Sequence, residues 1–587
     1  MSLQLILGSS GSGKSHKLYK EIIDKSISHK DVNYLIVVPE QFTLQTQKEI
    51  VTKHPYNGTM NIDILSFLRL AHRVFEETGG NNRPVLEDTG KSMILRKVLA
   101  QSKDDLKFFG REAKKIGFVS ELKSLISELF QYSVTKDDLE RIGRDLEARP
   151  MLYNKLHDIS VIYNGFREYL EEKYITQEEI LDVLCDVISK SDLIKTSVIA
   201  FDGFTGFTPA QYKLLGLLMK LAKKVIVTVT IDEREDITSL GEEFELFHLS
   251  KKTIHNLYKI AEENNIKIDK PIYPDMANKG EVIRFRDNKA LAFLERNLFR
   301  YPYKSYKKDQ DQVRIHVAED AKAEVSYVVR ETQRLVRDEG YRYQDIAIIT
   351  GDIGQYCNIL EREFERANIP VFIDHKRELL NNPFVEMIRS MLDIVKNDFD
   401  YESVFRFLRC GLTDYSNDDL DILENYIIAL GIRGKSRWEK EWKKTYRGQV
   451  EGELTRINEI REELVDFFTP ISKILKDREK TVRDYTITIY DHIVKLNIAE
   501  KLEKYKQDFE AKNMFSTAKE YEQIYGIVID LFEKLVELLG NEKLQLEEYI
   551  EILEAGFLEA KVGVIPPGLD QLVVGDIERT RLNKVKA

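Results

Sequence analysis

The sequence predicts an α/β protein with two parallel-sheet domains, each interrupted by a large helical insertion. Three observations lead there: apolar runs alternate with turns and amphipathic stretches over the first eighty residues, the same strand–helix order restarts at Val313, and two long stretches carry almost no strand signal. At about 100–200 residues per domain, 587 residues also exclude one compact core. Leu3 to Leu7, the glycine-rich Gly8 to Ser15, a helix to about Ser26 and Tyr34 to Val38 form a βαβ unit. Asn61 to Leu65 supplies a third strand and leads into Ser66 to Glu77, where Phe67, Leu70, Ala71, Val74 and Phe75 recur at helical spacing.

Residues 83–193 then read as charged amphipathic helices, for example Arg111 to Leu129 and Asn154 to Lys173. The β pattern returns at Thr196 to Asp202, followed by a helix over Pro209 to Leu221 and a strand over Lys224 to Asp232, so residues 1–82 and 194–270 make the first domain. Pro271, Pro274, Pro302 and the mixed-charge YKSYKKDQDQ mark 271–312 as a connector. The second α/β pattern runs through strand VRIHVA from Val313, helix Lys322 to Asp338, strand Asp345 to Ile349, helix Tyr356 to Ala367 and strand Pro370 to Ile373. Residues 400–560 are again helical, and Gln571 to Gly575 returns to the second sheet, giving a second domain of 313–399 and 561–587. The sequence stops just after that return, which suggests a fragment.

Composition narrows the function. Hydrophobic residues at 43% and charged residues at 32%, with only 13 prolines, describe a globular chain rather than a disordered one. Lys plus Arg at 88 against Asp plus Glu at 99 gives −11, so a nucleic-acid site has to be a local patch. Cys185, Cys357 and Cys410 are far apart without CxxC spacing, which argues against a disulfide framework or a cysteine-only metal centre and favours a reducing cytoplasm. The ten histidines show no metal-ligand spacing, no basic segment precedes the first apolar run, and no run reaches the roughly 18 apolar residues of a membrane span.

Gly8, Ser9, Ser10, Gly11, Ser12, Gly13, Lys14 and Ser15 fit G-x-x-x-x-G-K-[ST] between a strand and a helix. The glycines let successive backbone N–H groups face phosphate oxygens, Lys14 meets the outer phosphates, Ser15 holds Mg²⁺, and the helix N-terminus adds partial positive charge. ATP with Mg²⁺ is the expected ligand; the blander alternative is a glycine-rich turn. Such a loop needs a carboxylate at a neighbouring strand end, usually followed by a Glu that polarises water. VIAFDGF offers Asp202 for the metal but has Gly203 where the Glu is expected, so binding without brisk hydrolysis is anticipated. Asp202 could alternatively be an ordinary strand-end Asp opening a turn.

These residues carry a resemblance. GSSGSGKS, VVPEQFTLQTQ, ILSFLRLAHRVFEETGG, FDGFTGFTP and IPPGLDQLVVGDIERTR resemble, in order and over nearly the whole chain, the AddB family, the second subunits of bacterial AddAB helicase–nucleases. LSFLRLAHR is also similar to the TFHxLAxR motif of UvrD-like superfamily 1 helicases, and DIAIIT with ANIPVFID to the start of their second motor domain. The resemblance implies two RecA-like domains, an AddA-like partner that drives translocation, single-stranded DNA as ligand and recognition of a Chi recombination hotspot. The family's nuclease domain, clasped by an iron–sulfur cluster, has no counterpart in this sequence, so the helicase-like half alone is expected. No Gln-bearing motif precedes the first strand, VTVTIDERED lacks GDxxQ and IITGD lacks the usual Arg; with Gly203, each counts against motor activity.

In superfamily 1 helicases the DNA crosses loops that follow the strands. The resemblance places Gln41 and Thr43 after strand two, Phe67 and Arg69 after strand three, and Phe204 and Phe207 after the strand ending at Asp202, with His72 one turn beyond Arg69. Aromatics can stack bases, Gln can read base edges, and Arg can do so or neutralise phosphate. Phe67 also begins a helix whose apolar face must pack, so a core role competes for it. Trp438 and Trp442, one helical turn apart, are expected to pack against a neighbour, and Lys440, Lys443 and Lys444 to form a solvated face. Two other readings stay open: an active ATP-dependent DNA helicase or translocase, and a P-loop nucleotide switch that assembles partners.

Overall fold

The structure is a computed structural model of the 587-residue chain. It describes all residues except 80–82, 147, 172, 275–281, 375–376, 448, 450–451, 513, 563–569, 579, 581 and 583–584, so parts of the ETGG and IPPG blocks, of the connector and of the charged C-terminal stretch lie outside the described residues. The fold is mixed α/β and mostly helical, with parallel sheets.

The first sheet has six strands: β1 (Ser2–Gly8), β2 (Asn33–Val37), β3 (Ile62–Leu65), β4 (Ser197–Phe201), β5 (Lys224–Thr230) and β6 (Lys267–Ile268). They lie in the order β3-β2-β4-β5-β1-β6, all parallel. Alternate residues of a strand face opposite sides, and here both sides are covered. Leu3, Leu5, Leu7, Leu35 and Val37 pack with the helix Phe67–Thr78 on one face, while Ile6, Tyr34 and Ile36 meet Leu18, Tyr19 and Ile22 of the helix Lys14–Ser28 on the other. Near-continuous apolar runs are what two-sided burial requires.

The second sheet is smaller. Strands β7 (Ala347–Thr350), β8 (Val371–Ile373) and β9 (Leu572–Asp576) lie in the order β8-β9-β7, again parallel. Residues at the end of the chain run beside β7: the Ala347 N–H donates to the Ala587 carbonyl at 3.0 Å. The strand expected at VRIHVA is absent. Residues 313–318 have no regular structure, and Ile315 and Val317 are 92% and 87% exposed. Alternation of apolar and polar residues supplies strand propensity, but a strand also needs a neighbour for its N–H and C=O groups, and none of the described residues offers one. The segment is instead pinned to the helix Ala321–Asp338, where His316 stacks on Tyr327 with ring centroids 3.6 Å apart.

The helical stretches in residues 86–170 and 379–562 share a single core, in which Met93, Ile94 and Phe166 pack with Met391, Leu535 and Phe557. Gly90 and Gly556 permit this contact, since a Cβ at Gly556 would come within 2.6 Å of the Met93 side chain. Ion pairs cross it as well: Arg96 meets Glu551 at 2.9 Å, Lys97 meets Glu542 and Lys123 meets Glu559. Within the first stretch, the fully buried Asp158 accepts the backbone N–H groups of Lys107, Phe108 and Phe109 at 2.8, 2.7 and 2.8 Å. Burial works against that charge, but the three donors outweigh it and hold the carboxyl below the usual range.

Trp438 and Trp442 are both buried, as expected, but not along one helix. The helix Lys435–Trp438 ends at the first of them, and Trp442 stacks on Tyr426 while its indole N–H donates to the Arg437 carbonyl. Among the described residues, no helix is long and apolar enough to cross a membrane.

Candidate nucleotide site and strand-end face

Residues Gly8 to Ser15 leave the end of β1 and enter the helix Lys14–Ser28. Two positive φ angles make the curl, +81° at Gly11 and +94° at Gly13, where a side chain would strain the backbone. Gly13 caps the helix without a side-chain hydrogen bond, and no acidic residue occupies the first turn. The buried Lys14 folds back, its Nζ donating to the carbonyls of Gly8 and Ser9 at 2.8 and 2.9 Å. Ser12 Oγ is buried without a hydrogen-bond partner. An orphaned hydroxyl, a folded-back cation and a helix N-terminus without acidic residues in its first turn together fit a phosphate ligand.

Asp202 follows β4, two strands from β1 across the sheet, and is 1% exposed. Its carboxylate accepts Ser15 Oγ at 3.0 Å, Tyr19 OH at 2.6 Å and Thr228 Oγ1 at 2.6 Å. Sequence reasoning singled out Ser15 and Asp202 but missed Tyr19 and Thr228. Tyr19 lies one helical turn after Ser15, and that spacing could have flagged it; Thr228 sits inside an apolar strand and gave no signal. Gly203 has φ +83°, so a glutamate could occupy its position only with strain.

A third element reaches the loop from far along the chain. The Arg284 N–H donates to the Gly11 carbonyl at 3.2 Å, and a Cβ added at Gly11 would lie 2.8 Å from Arg284 Cβ. Ile283 Cδ1 lies 3.0 Å from the Cβ position of Gly13. The turn Ile283–Phe285 therefore rests against the glycine-rich loop. Close by, the Ile231 N–H donates to the Gly8 carbonyl, and the segment after β5 binds Arg300: its guanidinium donates to Asp232 at 3.0 Å and Glu235 at 2.6 Å. Burial disfavours the charge on Asp232, but Arg234 and Arg300 prevail and hold its carboxyl below the usual range.

The residues expected on the strand-end face all follow the C-terminal ends of β2, β3 and β4. Gln41 is exposed in the turn Glu40–Phe42, whereas Thr43 is buried and its hydroxyl donates to the Glu40 carbonyl at 2.9 Å. Arg69 is exposed and its Nε donates to Glu40 at 3.2 Å; exposed His72 lies edge-on to Phe75. Phe67, Phe204 and Phe207 come together, but around the fully buried Phe201, with Phe67 centroids 5.6, 5.3 and 6.4 Å from Phe201, Phe204 and Phe207. Phe67 is 9% exposed, while Phe204 and Phe207 are half-buried. A cleft beside Phe67 is lined by the apolar Leu68, Ile180 and Leu181 together with Gln131, Gln177, Glu178 and Gln211, a mixed wall that sequence reasoning did not anticipate.

Residues 5–295 match the family model described as ADDB, N-terminal, and residues 243–561 match the UvrD-like helicase C-terminal domain. Over its whole length the chain is 51% identical to the AddB subunit of the ATP-dependent helicase/deoxyribonuclease of Lachnoclostridium phytofermentans, covering 51% of that protein. It is 36% identical to the protein of the same name from Clostridium novyi and 35% identical to that of Thermoanaerobacter sp. strain X514, covering 50% and 51% of them. The chain spans about half the length of the curated relatives it matches. From these matches, the chain belongs to the AddB family and carries a UvrD-like helicase C-terminal domain.

Proposed function

We propose that this chain is the helicase-like half of the second subunit of a cytoplasmic ATP-dependent helicase–nuclease for double-strand break repair. In this reading its two sheets belong to two RecA-like domains, it binds Mg-ATP at the phosphate loop, and single-stranded DNA crosses the strand-end face, where a Chi-like sequence is recognised while an AddA-like partner drives translocation. The observation that carries the nucleotide reading is the meeting of Ser15 and Asp202 at 3.0 Å at the start of the helix that follows the glycine-rich turn. The strand-end reading rests on exposed Gln41 and Arg69, which suit base edges and phosphate.

Ser15 and Asp202 would hold Mg²⁺, and the N–H groups of the loop would cradle the phosphates. Mg-ATP, when bound, supplies an electrophilic phosphorus for attack by water. Lys14 has to release the Gly8 and Ser9 carbonyls before it can neutralise a phosphate, and Asp202 has to exchange hydroxyl partners for a cation. Gly203 offers no carboxylate to polarise water, so slow turnover is expected.

Equilibrium ATP binding and steady-state hydrolysis, measured together for the parent chain and Lys14→Ala, test this. The expected result is Mg-dependent binding lost in the variant, with little hydrolysis in either. Fast DNA-stimulated hydrolysis abolished by Lys14→Ala would replace the reading with that of an active motor. Absence of ATP binding would make the loop a vestige.

A further inference from the structure

We infer that the connector around residues 299–308 is a second contact for single-stranded nucleic acid, a basic platform of exposed aromatic rings; this rests on the single-strand reading proposed above. Phe299, Tyr301 and Tyr303 are 77%, 89% and 85% exposed. Three large rings so exposed within five residues are costly to leave in water, and each presents a π-face on which a base of any identity can stack. The same ten residues hold Lys304, Lys307 and Lys308 besides the paired Arg300 and no acidic residue, with Asp309 and Asp311 following, in a chain whose overall charge is −11. Charge complementarity therefore points to a polyanion with stacking bases, which is single-stranded nucleic acid.

The platform is held at both ends. Arg300 is fixed by Asp232 and Glu235 and lies over the Phe247 ring, while Tyr306 packs on Phe293 of the helix Lys289–Asn297, with centroids 5.2 Å apart. Between those anchors Tyr301 and Tyr303 turn outward, their rings 5.9 Å apart. Lys304, Lys307 and Lys308 are exposed and make no ion pair among the described residues, so their charge remains available to phosphate. Asp232 follows β5 at the same C-terminal end of the sheet from which Gln41, Phe67 and Arg69 depart, so one strand of nucleic acid can meet both sets. The arrangement also divides the labour: the rings near β4 are packed around Phe201, whereas those of the connector are free to stack.

The test uses the full 587-residue chain and a dT oligonucleotide at low salt. Tyr301→Ala with Tyr303→Ala should raise Kd about tenfold or more. Replacing Lys304, Lys307 and Lys308 by Ala should reduce the slope of log K against log salt by about 2. Because Trp438 and Trp442 are buried, Tyr303→Trp adds an exposed reporter whose fluorescence the oligonucleotide should quench. If the parent chain binds but the tyrosine variant binds equally well and the reporter is not quenched, the connector is not a contact, and the strand-end reading stands without it. If the parent chain binds no oligonucleotide, the single-strand reading and this platform fall together.

Discussion

The two sheets follow the same parallel strand–helix grammar and are buried to different extents. In the first, β1 is buried at every position from Leu3 to Gly8, and helices cover both faces. In the second, β7 is half-buried, the core is a short set around Leu360, Phe364, Leu572 and Val574, and the apolar residues of 313–318 lie in water. The contrast shows what local pattern can and cannot do. Alternating apolar residues make a segment competent to be a strand, while burial depends on whether other strands and helices are there to receive it.

The largest effect expected is at the first sheet. Phe201→Ala, which removes a fully buried ring at the centre of the aromatic cluster, should destabilise that unit by about 3–5 kcal/mol. Because a chain of 587 residues with two separate sheets does not unfold in one step, the readout is native-state hydrogen exchange at the amides of β1, β4 and β5. Leu572→Ala, equally buried but in the thinner sheet, should cost about 2–4 kcal/mol, read at β7 and β8, with the first sheet unaffected. Spread of either effect into the other sheet would remove the distinction between them.

A smaller effect is expected where the connector meets the first sheet. Arg300→Ala should loosen the segment after β5 by about 1–2 kcal/mol. Acid should do the same. The folded Asp232 carboxyl lies below its ordinary range, so its stabilising contribution is complete above about pH 4 and disappears as pH falls through the folded value. Protection of the amides of residues 232–251, taken relative to the intrinsic exchange rate at each pH, should therefore fall on acidification in the parent chain and change less in Arg300→Ala; equal acid sensitivity would remove Arg300 from the account. The smallest effect is reserved for Ile315→Ala, which should alter exchange in β7 by less than about 0.5 kcal/mol. A cost of about 2 kcal/mol or more would mean that residues 313–318 are packed after all.

Much of the first sheet was legible because two-sided burial writes itself as uninterrupted apolar runs, and the turn from β1 into its helix because the glycines of Gly8 to Ser15 announce the positive φ angles found at Gly11 and Gly13. Asp202 was legible as a strand-end carboxylate. Thr228 was not, because a threonine inside KVIVTVT is an ordinary strand residue until the fold brings it 2.6 Å from that carboxylate. Arg284 gave no signal at all, since the turn it belongs to meets Gly11 only through tertiary structure. The common core of the two helical stretches was equally hidden: an amphipathic helix announces that one face is buried but not against which distant segment. VRIHVA failed for the opposite reason, its local signal being sound and its partner missing among the described residues.

The shared helical core has a mechanical consequence. The connector alone would leave the second α/β unit free to turn about any axis relative to the first, as two bodies joined by one cord are. Residues 86–170 and 379–562 join the same two units again, elsewhere, through a close-packed interior that resists deformation. A second, separate attachment of that kind removes freedom that a single cord would leave. The chain is thus a closed linkage rather than an open string of beads.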